Sequence, residues 1–402
     1  MSKQSGLGDR LLVGGHDISG DTNSLGEIGG GVALIEVTGL DKFALERVGA
    51  VRSGRIEWTS YFNPSNNRAH QVLSALPREN TQIMYCRGTA LGSAAACMTG
   101  KQIDYAPTRE ADGHLKIAVR AESDGFGLEW GNQLTAGVKS LVNSLTEQNA
   151  TFEGGIGTWA THLNSTVTHS TAVARTGSGS LAIASTSTSN AAASHDTPVA
   201  DGIRVTPRHT YLVQAWFRAA TISRNVQILV NWHTAAGAYI STSSPTSVPD
   251  TTSGWTLSSV SASAPPTAAY AIVIAQVSSP GEAGEVHYVD DVSFWDQGPA
   301  YDCGSDQAGN FNAQAYLQVT EFTGVDATVT VQTSTDNGVS DPFSDRISFT
   351  VTSAPIVVRK TMTSPSTQLM ERYTRVVVQT SGGIDSLSFA MMLNVNGMNT
   401  RF

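Results

Sequence analysis

The sequence predicts an all-β protein in which one β-domain interrupts another. Three observations predict it. Short runs of alternating apolar and polar residues, bounded by Gly, Asn, Asp and Pro, recur along the whole 402-residue chain. Only 15% of residues are charged and 38 are glycine, a balance that suits sheets better than helical bundles. Composition also switches twice: residues 149–297 contain no lysine and five of the seven tryptophans, whereas the flanks hold every lysine, all three cysteines and the methionines. A switch that reverses argues for an insertion rather than an end-to-end fusion. It divides the chain into a body, residues 1–148 and 298–402, and a guest, residues 149–297.

In the first flank, Arg10–Ser19 reads as a strand and turn, and Val32–Val37 and Arg55–Phe62 as strands. Asn66–Leu76 is the best short-helix candidate, because Ala69, Val72, Leu73 and Leu76 share a face and Pro77 stops it. Gln82–Cys86, Lys101–Tyr105 and His114–Arg120 follow as strands, with an Asp-Gly hairpin signal in Glu110–Gly113. The glycine-rich stretch 26–31 and residues 88–100 read as loops. In the second flank Ala315–Phe322, Ala327–Thr333, Arg346–Val351 and Tyr373–Gln379 alternate, Ser334–Gly338 is a turn, and Ser386–Val395 is a closing strand.

Several function classes are disfavoured. A net charge of −9 argues against a protein that grips nucleic-acid backbones. No run approaches the roughly 18 apolar residues of a membrane span. The first residues, Met1-Ser-Lys-Gln-Ser-Gly-Leu-Gly8, lack the apolar core of a secretory signal, so synthesis and assembly in a cytoplasm are expected. Cys86, Cys97 and Cys303 fall in no metal-ligand spacing and read as buried free thiols. No phosphate loop, HExxH, GxSxG or EF-hand motif occurs. Asp290 and Asp291 are strand neighbours whose side chains point apart, which disfavours a shared acid/base pair. The expectation is a protein that is not an enzyme.

With the guest removed, the flanks resemble the major tail (tail tube) protein of long-tailed bacteriophages, particularly those of actinobacteria. The likeness is carried by Gly14-Gly-His-Asp-Ile-Ser-Gly-Asp-Thr-Asn-Ser-Leu25, Gly54-Arg-Ile-Glu-Trp58 with Tyr61-Phe-Asn-Pro64, the stretch Ala315–Gly338, and Arg372-Tyr-Thr-Arg-Val376. It implies a discontinuous tail-tube β-sandwich or barrel with a short helix, located in the virion tail. It also implies stacked homo-oligomeric rings, hexameric or pseudo-hexameric, that pair strands across subunits and enclose a conduit for DNA. Tape measure, tail terminator and tip proteins are the partners so implied. An acidic lumen would repel phosphates instead of trapping them. Strands near 101–120 and 315–332 are the expected wall, with Ile117 and Val329 as points where proline would stop assembly.

The guest resembles carbohydrate-binding modules of families four and nine, which are jelly-roll β-sandwiches. Asn149-x-x-Phe152-Glu153, Gly157-x-Trp159, Gly177-Ser-Gly-Ser-Leu181, Tyr211-x-Val-x-Ala-Trp216, Val230-Asn-Trp-His233, Gly254-Trp255 and Val289-Asp-Asp-Val-Ser-Phe294 carry the likeness, in the family's order. It implies a sugar-binding cleft of stacked aromatics and amides, and weak recognition of a host-surface polysaccharide. Alternation puts Gln214, Trp216 and Arg218 on one face, with Gln227, Asn231 and His233 expected on the same side; Trp216, Gln214, Arg218, Gln227 and Asn231 are the candidate sugar-binding residues. Trp216 reads equally as core or ligand, and Trp159, Trp232, Trp255 and Trp295 as packing residues. The likeness also implies a structural calcium near Glu153 and Asp290 or Asp291, acids that read equally as turn caps. Insertion points after Leu134–Gly137 and near Asp296–Pro299 read as surface loops, which would make the guest dispensable for the body. A glycan-binding minor tail adhesin is the alternative function, and a glycoside hydrolase the third.

Overall fold

The computed structural model describes residues 6–75, 80–196, 202–304, 312–362 and 370–396. The chain is all-β, and among the described residues every strand pair is antiparallel. The body is built on one long sheet with the order His16–Asp17, Arg10–Val13, Thr81–Cys86, Ala94–Arg109, Glu129–Gln133, Ile384–Asn396, Asn312–Gly324 and Ile356–Thr361. This sheet curls until its ends meet. The Gly15 amide donates to Gln318 Oε1 at 3.1 Å, and Gln318 Nε2 donates to the Gln82 carbonyl at 3.3 Å. Gly15 has φ +83° and a side chain there would lie 2.9 Å from the Val319 carbonyl, so the closure requires glycine. Leu12, Met84, Cys97, Tyr316, Ala390 and Met392 fill one side of the curl. The other side packs against a four-stranded sheet of Tyr301–Asp302, Tyr373–Gln379, Ala327–Ser334 and Ser344–Val351, through Leu317, Val329, Val331, Phe349, Phe389 and Met391. Burial pushes the Cys86 thiol up to about 12 and raises that of Cys97, so both sit as protonated packing groups.

Beyond Gly100 the strand Ala94–Arg109 leaves the curl and pairs with Leu115–Ser123, which pairs with Arg47–Tyr61, which pairs with Thr22–Glu36. These four strands form a wing. Ile56, Trp58, Ile117 and Val119 pack from the wing onto Ile83 and Met98 of the curl. The helix forms over Ala69–Ser74 and closes this core with Ala69 and Leu73. The expected helix residues Leu76 and Pro77 lie outside the described residues. The Asp-Gly turn forms as expected, with the Gly113 amide donating to the Glu110 carbonyl at 2.9 Å and φ +93° at Gly113.

Two segments expected as loops are strands. Residues 26–31 lie inside Thr22–Glu36, and glycine is needed at position 30, where a side chain would meet the Ser53 carbonyl at 2.5 Å. Residues 94–100 are a buried strand with neighbours on both sides. The expected wall positions also need correction. Ile117 and Val329 are fully buried in strands paired on both edges. Proline at either would break the subunit itself rather than its assembly.

The guest is a jelly-roll sandwich. One sheet holds Ser165–Ser170, Ser180–Ser185, Val286–Gly298, Thr210–Ala219 and Thr256–Ser263. The other is led by Trp159–Leu163, Ala191–His195, Tyr270–Val277, Asn225–His233 and Tyr239–Ser243. Phe152, Trp159, Phe217, Trp232, Val273 and Phe294 fill the space between them. The core also takes in Leu145 and Ala150, and Asn143 bonds to Val292 and Phe294, so the sandwich starts a few residues ahead of 149.

Candidate functional site

The five candidate sugar-binding residues fall on two different sheets. Gln214, Trp216 and Arg218 alternate with core residues Val213, Ala215 and Phe217 on the five-stranded sheet. Gln227 and Asn231 alternate with Val226, Ile228, Val230 and Trp232 on the seven-stranded sheet, and so face away from the first three across the sandwich. The expectation that all five share one side fails because alternation fixes parity along a strand but not the sheet to which the strand belongs.

The outer face of the five-stranded sheet is docked onto the body. Leu212 and Trp295 project into the body's core beside Leu141, Ile384 and Leu387. The Gln214 amide donates to the Ile384 carbonyl and accepts from the Ile384 amide at 3.4 Å. Gln297 makes the same two-way pair with Val378, both bonds 2.9 Å. Trp216 is half-buried between the Arg175 guanidinium, 4.0 Å above its ring, and Gly383, where a side chain would come within 2.5 Å of the indole. Arg175 in turn pairs with Asp291 at 2.7 Å and faces Asp385 of the body at 3.7 Å. Trp216 is therefore a docking residue, neither core nor an open sugar platform. Arg218 continues the same face, opposite Tyr288 on the neighbouring strand. The guest leaves through a strand that bonds to the body, not through the surface loop expected near Asp296–Pro299.

The three acids implied for calcium are each occupied by protein donors. Glu153 takes the Ser178 amide, the Ser178 hydroxyl and the Gly179 amide. Those bonds hold its carboxyl below the usual range. Asp290 accepts from the Arg175 amide at 2.7 Å and the Asp291 amide at 2.7 Å, while Asp291 takes Arg175 and the Thr176 hydroxyl. Calcium requires some 6–8 convergent oxygens. Among the described residues no group of three or more His, Cys, Asp or Glu is arranged to hold a metal ion. A guanidinium stands where the resemblance implies a cation, and these residues do not fit the ion.

The outer face of the seven-stranded sheet is built differently. Its rows follow the strand register: Gln227 opposite Gln276, Leu229 opposite Ile274, and Asn231 opposite Ile272 and Thr242. Ile272, Ile274, Ala192 and Leu229 make an apolar floor. Amides and hydroxyls rim it. Gln227 Nε2 donates to Gln276 Oε1 at 2.6 Å, the Thr242 hydroxyl donates to Asn231 Oδ1 at 2.5 Å, and Tyr239 lies 2.9 Å from the same hydroxyl. Tyr239 is 58% exposed. Ser194 belongs to this floor, opposite Ile274, and its buried hydroxyl has no partner among the described residues. His233 is buried at the end of the face, opposite Tyr270 and Tyr239. Of the residues on this face the sequence singled out Gln227 and Asn231 and not Tyr239, Thr242, Gln276 or Ser194; the alternation of Tyr239–Ser243 was the one signal available for these.

No protein-family model matches the chain, and no curated sequence matches it. Among solved structures it is similar to a family 16 carbohydrate-binding module, with 17% identity, 36% of this chain and 96% of that chain covered, and a TM-score of 0.28. It is similar to a CBM22-1 xylan-binding domain from Paenibacillus barcinonensis, with 13% identity, 41% and 95% covered, and a TM-score of 0.29. A chain of the virion of a native gene transfer agent particle matches with 13% identity, 32% and 98% covered, and a TM-score of 0.26. Scores this low carry no function across; what each face can do has to come from its own residues.

Proposed function

We propose that the chain is a structural subunit of a phage tail tube that carries a glycan-binding module on its outside. One observation carries the reading: the wing is a four-stranded sheet with both edges open. Thr22–Glu36 pairs on one side with Arg47–Tyr61 and on the other with nothing among the described residues, and Lys101–Arg109 is similarly open beyond Leu115–Ser123. A 15-residue bare edge is an aggregation hazard unless another chain completes it. Two different open edges on one sheet make a head-to-tail contact, which closes into rings when the rotation allows. The hairpin tip supports the same reading, since Leu34 is 62% exposed, Ile35 57% and Phe43 fully exposed, more apolar surface than a lone subunit has reason to show.

The solvent face of the wing suits a DNA conduit. Arg55 pairs with Glu27, Glu57 and Glu122, and Arg120 with Glu57 and Glu122. Asp104 adds to the same patch. The four acids outnumber these two arginines, and the three glutamates pair with them, so neither arginine is free to hold a phosphate.

The glycan part rests on the seven-stranded face, where an apolar floor rimmed by amides matches the two sides of a sugar ring. A minor tail adhesin, in which sugar binding is the main role, is the competing reading favoured by this face alone. Negative-stain electron microscopy of the purified chain separates the two, because tube subunits polymerise. Leu34→Glu with Ile35→Glu, at exposed positions, is expected to abolish tubes while leaving the melting temperature unchanged. A wild-type chain that stays monomeric at high concentration, or a double variant that polymerises normally, refutes the tube reading.

A further inference from the structure

We infer that the seam between guest and body forms a second ligand site, selective for an anionic saccharide such as a uronate or a sugar phosphate. The seam opens into a cleft of about 420 Å³, lined from the guest by Arg208, Ser263 and Pro265–Pro266 and from the body by Phe343 and Arg375. This is within the roughly 300–1,000 Å³ usual for small-ligand sites, which favour domain interfaces.

The charge pattern identifies the ligand. The Arg375 side chain is half-buried, and its hydrogen-bond acceptors are all neutral: Gln332 Oε1 at 2.9 Å, the Ser263 hydroxyl at 2.6 Å and the Thr210 hydroxyl at 3.1 Å. The acids nearby are turned to other donors. Asp345 accepts from Gln332 Nε2 at 2.7 Å, Asp336 from the Val339 and Ser340 amides, and Asp341 from Thr335. Burial without an ion pair lowers the Arg375 pKa to about 10, the opposite of what a paired arginine shows. Arg208 is exposed, held at φ +65°, and places a second guanidinium on the same rim with no side-chain partner among the described residues. Asp345 is the one carboxylate whose charge reaches Arg375, and among the described residues neither guanidinium forms an ion pair, so an oxyanion in the cleft gains charge-assisted bonds that these residues do not supply.

The walls select the body of the ligand. Phe343 lies with Arg375 3.9 Å over its ring, and Pro265, Pro266, Pro342 and Val339 complete a dry surface. Such a surface accepts the C–H face of a sugar and repels a free hydrated anion. The clefts of similar size around Arg10 differ on this point, because Arg10 is already paired with Asp17 at 2.7 Å. Neither half of the seam site exists without the other, so docking the guest creates the site. The inference does not depend on whether the seven-stranded face binds sugar.

Calorimetric titration of the intact chain at fixed ionic strength tests it, with tetragalacturonate, glucose 6-phosphate and uncharged xylotetraose as probes. At least one anionic probe is expected to bind and the neutral one not, and the pair shows which oxyanion is preferred. Arg208→Gln and Phe343→Ala are each expected to weaken binding roughly tenfold, about the loss of one good contact. The Arg208 backbone amide donates to the Ala264 carbonyl at 2.9 Å, a bond Gln keeps, and its exposed side chain has no hydrogen bond or ion pair among the described residues, so the variant is expected to keep the wild-type melting temperature and to read the site without undocking the guest. The proposal is overturned if neither anion binds, if both variants bind as wild type does, or if only Asn231→Ala on the outer sheet reduces binding. Tetraglutamate binding as tightly as the sugars would overturn the assignment to a saccharide.

Discussion

Trp295→Ala should cost the whole chain stability, and not the guest alone. Trp295 sits on Val286–Gly298, whose neighbours Val292 and Phe294 point into the guest's own core. Trp295 points the other way and is 3% exposed in a cluster whose other members are almost all from the body. Truncating a buried Trp to Ala costs about 3–5 kcal/mol, because the lost transfer energy is joined by a cavity that the surroundings fill only in part. For a unit of roughly 150–250 residues, 1 kcal/mol moves the melting temperature by about 2–4 °C, so a fall of roughly 6–20 °C is expected. Differential scanning calorimetry should place that fall in the transition of the body. A double-mutant cycle with Leu141→Ala, in the same cluster, should show coupling of about 0.5–3 kcal/mol. The same geometry revises the expectation that residues 149–297 are dispensable. Their removal bares Ile384, Leu387 and Leu141, so the deleted body should aggregate unless these are made polar. A variant within about 1 °C of wild type, together with a soluble body after deletion, would refute the shared core.

Asn231→Ala and Tyr239→Ala should each reduce pull-down of cell-wall glycans with little change in melting temperature, whereas Trp216→Ala should lower the melting temperature and leave pull-down intact; the reverse pattern would move the sugar site to the docked sheet. Burial, aided by the Asp291 charge, raises the Asp290 carboxyl from 3.8 to about 7. A folded-state pKa above the unfolded value gives stability that is full below about 4 and lost as pH rises through about 7, so Asp290→Asn should gain on wild type between pH 5 and 8, measured by urea unfolding. Glu285, held down to about 2 chiefly by Arg224, acts with the opposite sign and only at lower pH, so a difference independent of pH would show that Asp290 is not buried as described. Because Glu153, Asp290 and Asp291 are spent on protein donors, neither added calcium nor a chelator should move the guest's melting temperature, as read by scanning calorimetry.

Most of the strands, and the boundary between two compositions, were legible in the residues alone. Alternation along Ala327–Thr333, Tyr373–Gln379 and Thr210–Ala219 is local information, since each side chain's parity follows from its place in the pleat. The Ala69–Leu73 face of the helix and the Asp112-Gly113 turn were legible for the same reason. The glycines of 26–31 misled because their low strand propensity is overridden by pairing with a strand more than twenty residues away, at Ser53–Ile56, whose backbone approaches Gly30 too closely for any side chain. Which face of a strand is free is not local at all. Gln214 and Trp216 carry the amide and aromatic chemistry of a sugar site, yet Ile384 and Gly383, about 170 residues later, cover them; Gln227 and Asn231 stay open because no body strand reaches them. The seam cleft is further still from the sequence, for Arg208 and Arg375 share no motif and meet only when the guest settles on the body. Tertiary packing decides such matters because burial is a property of two surfaces, and a sequence pattern describes only one.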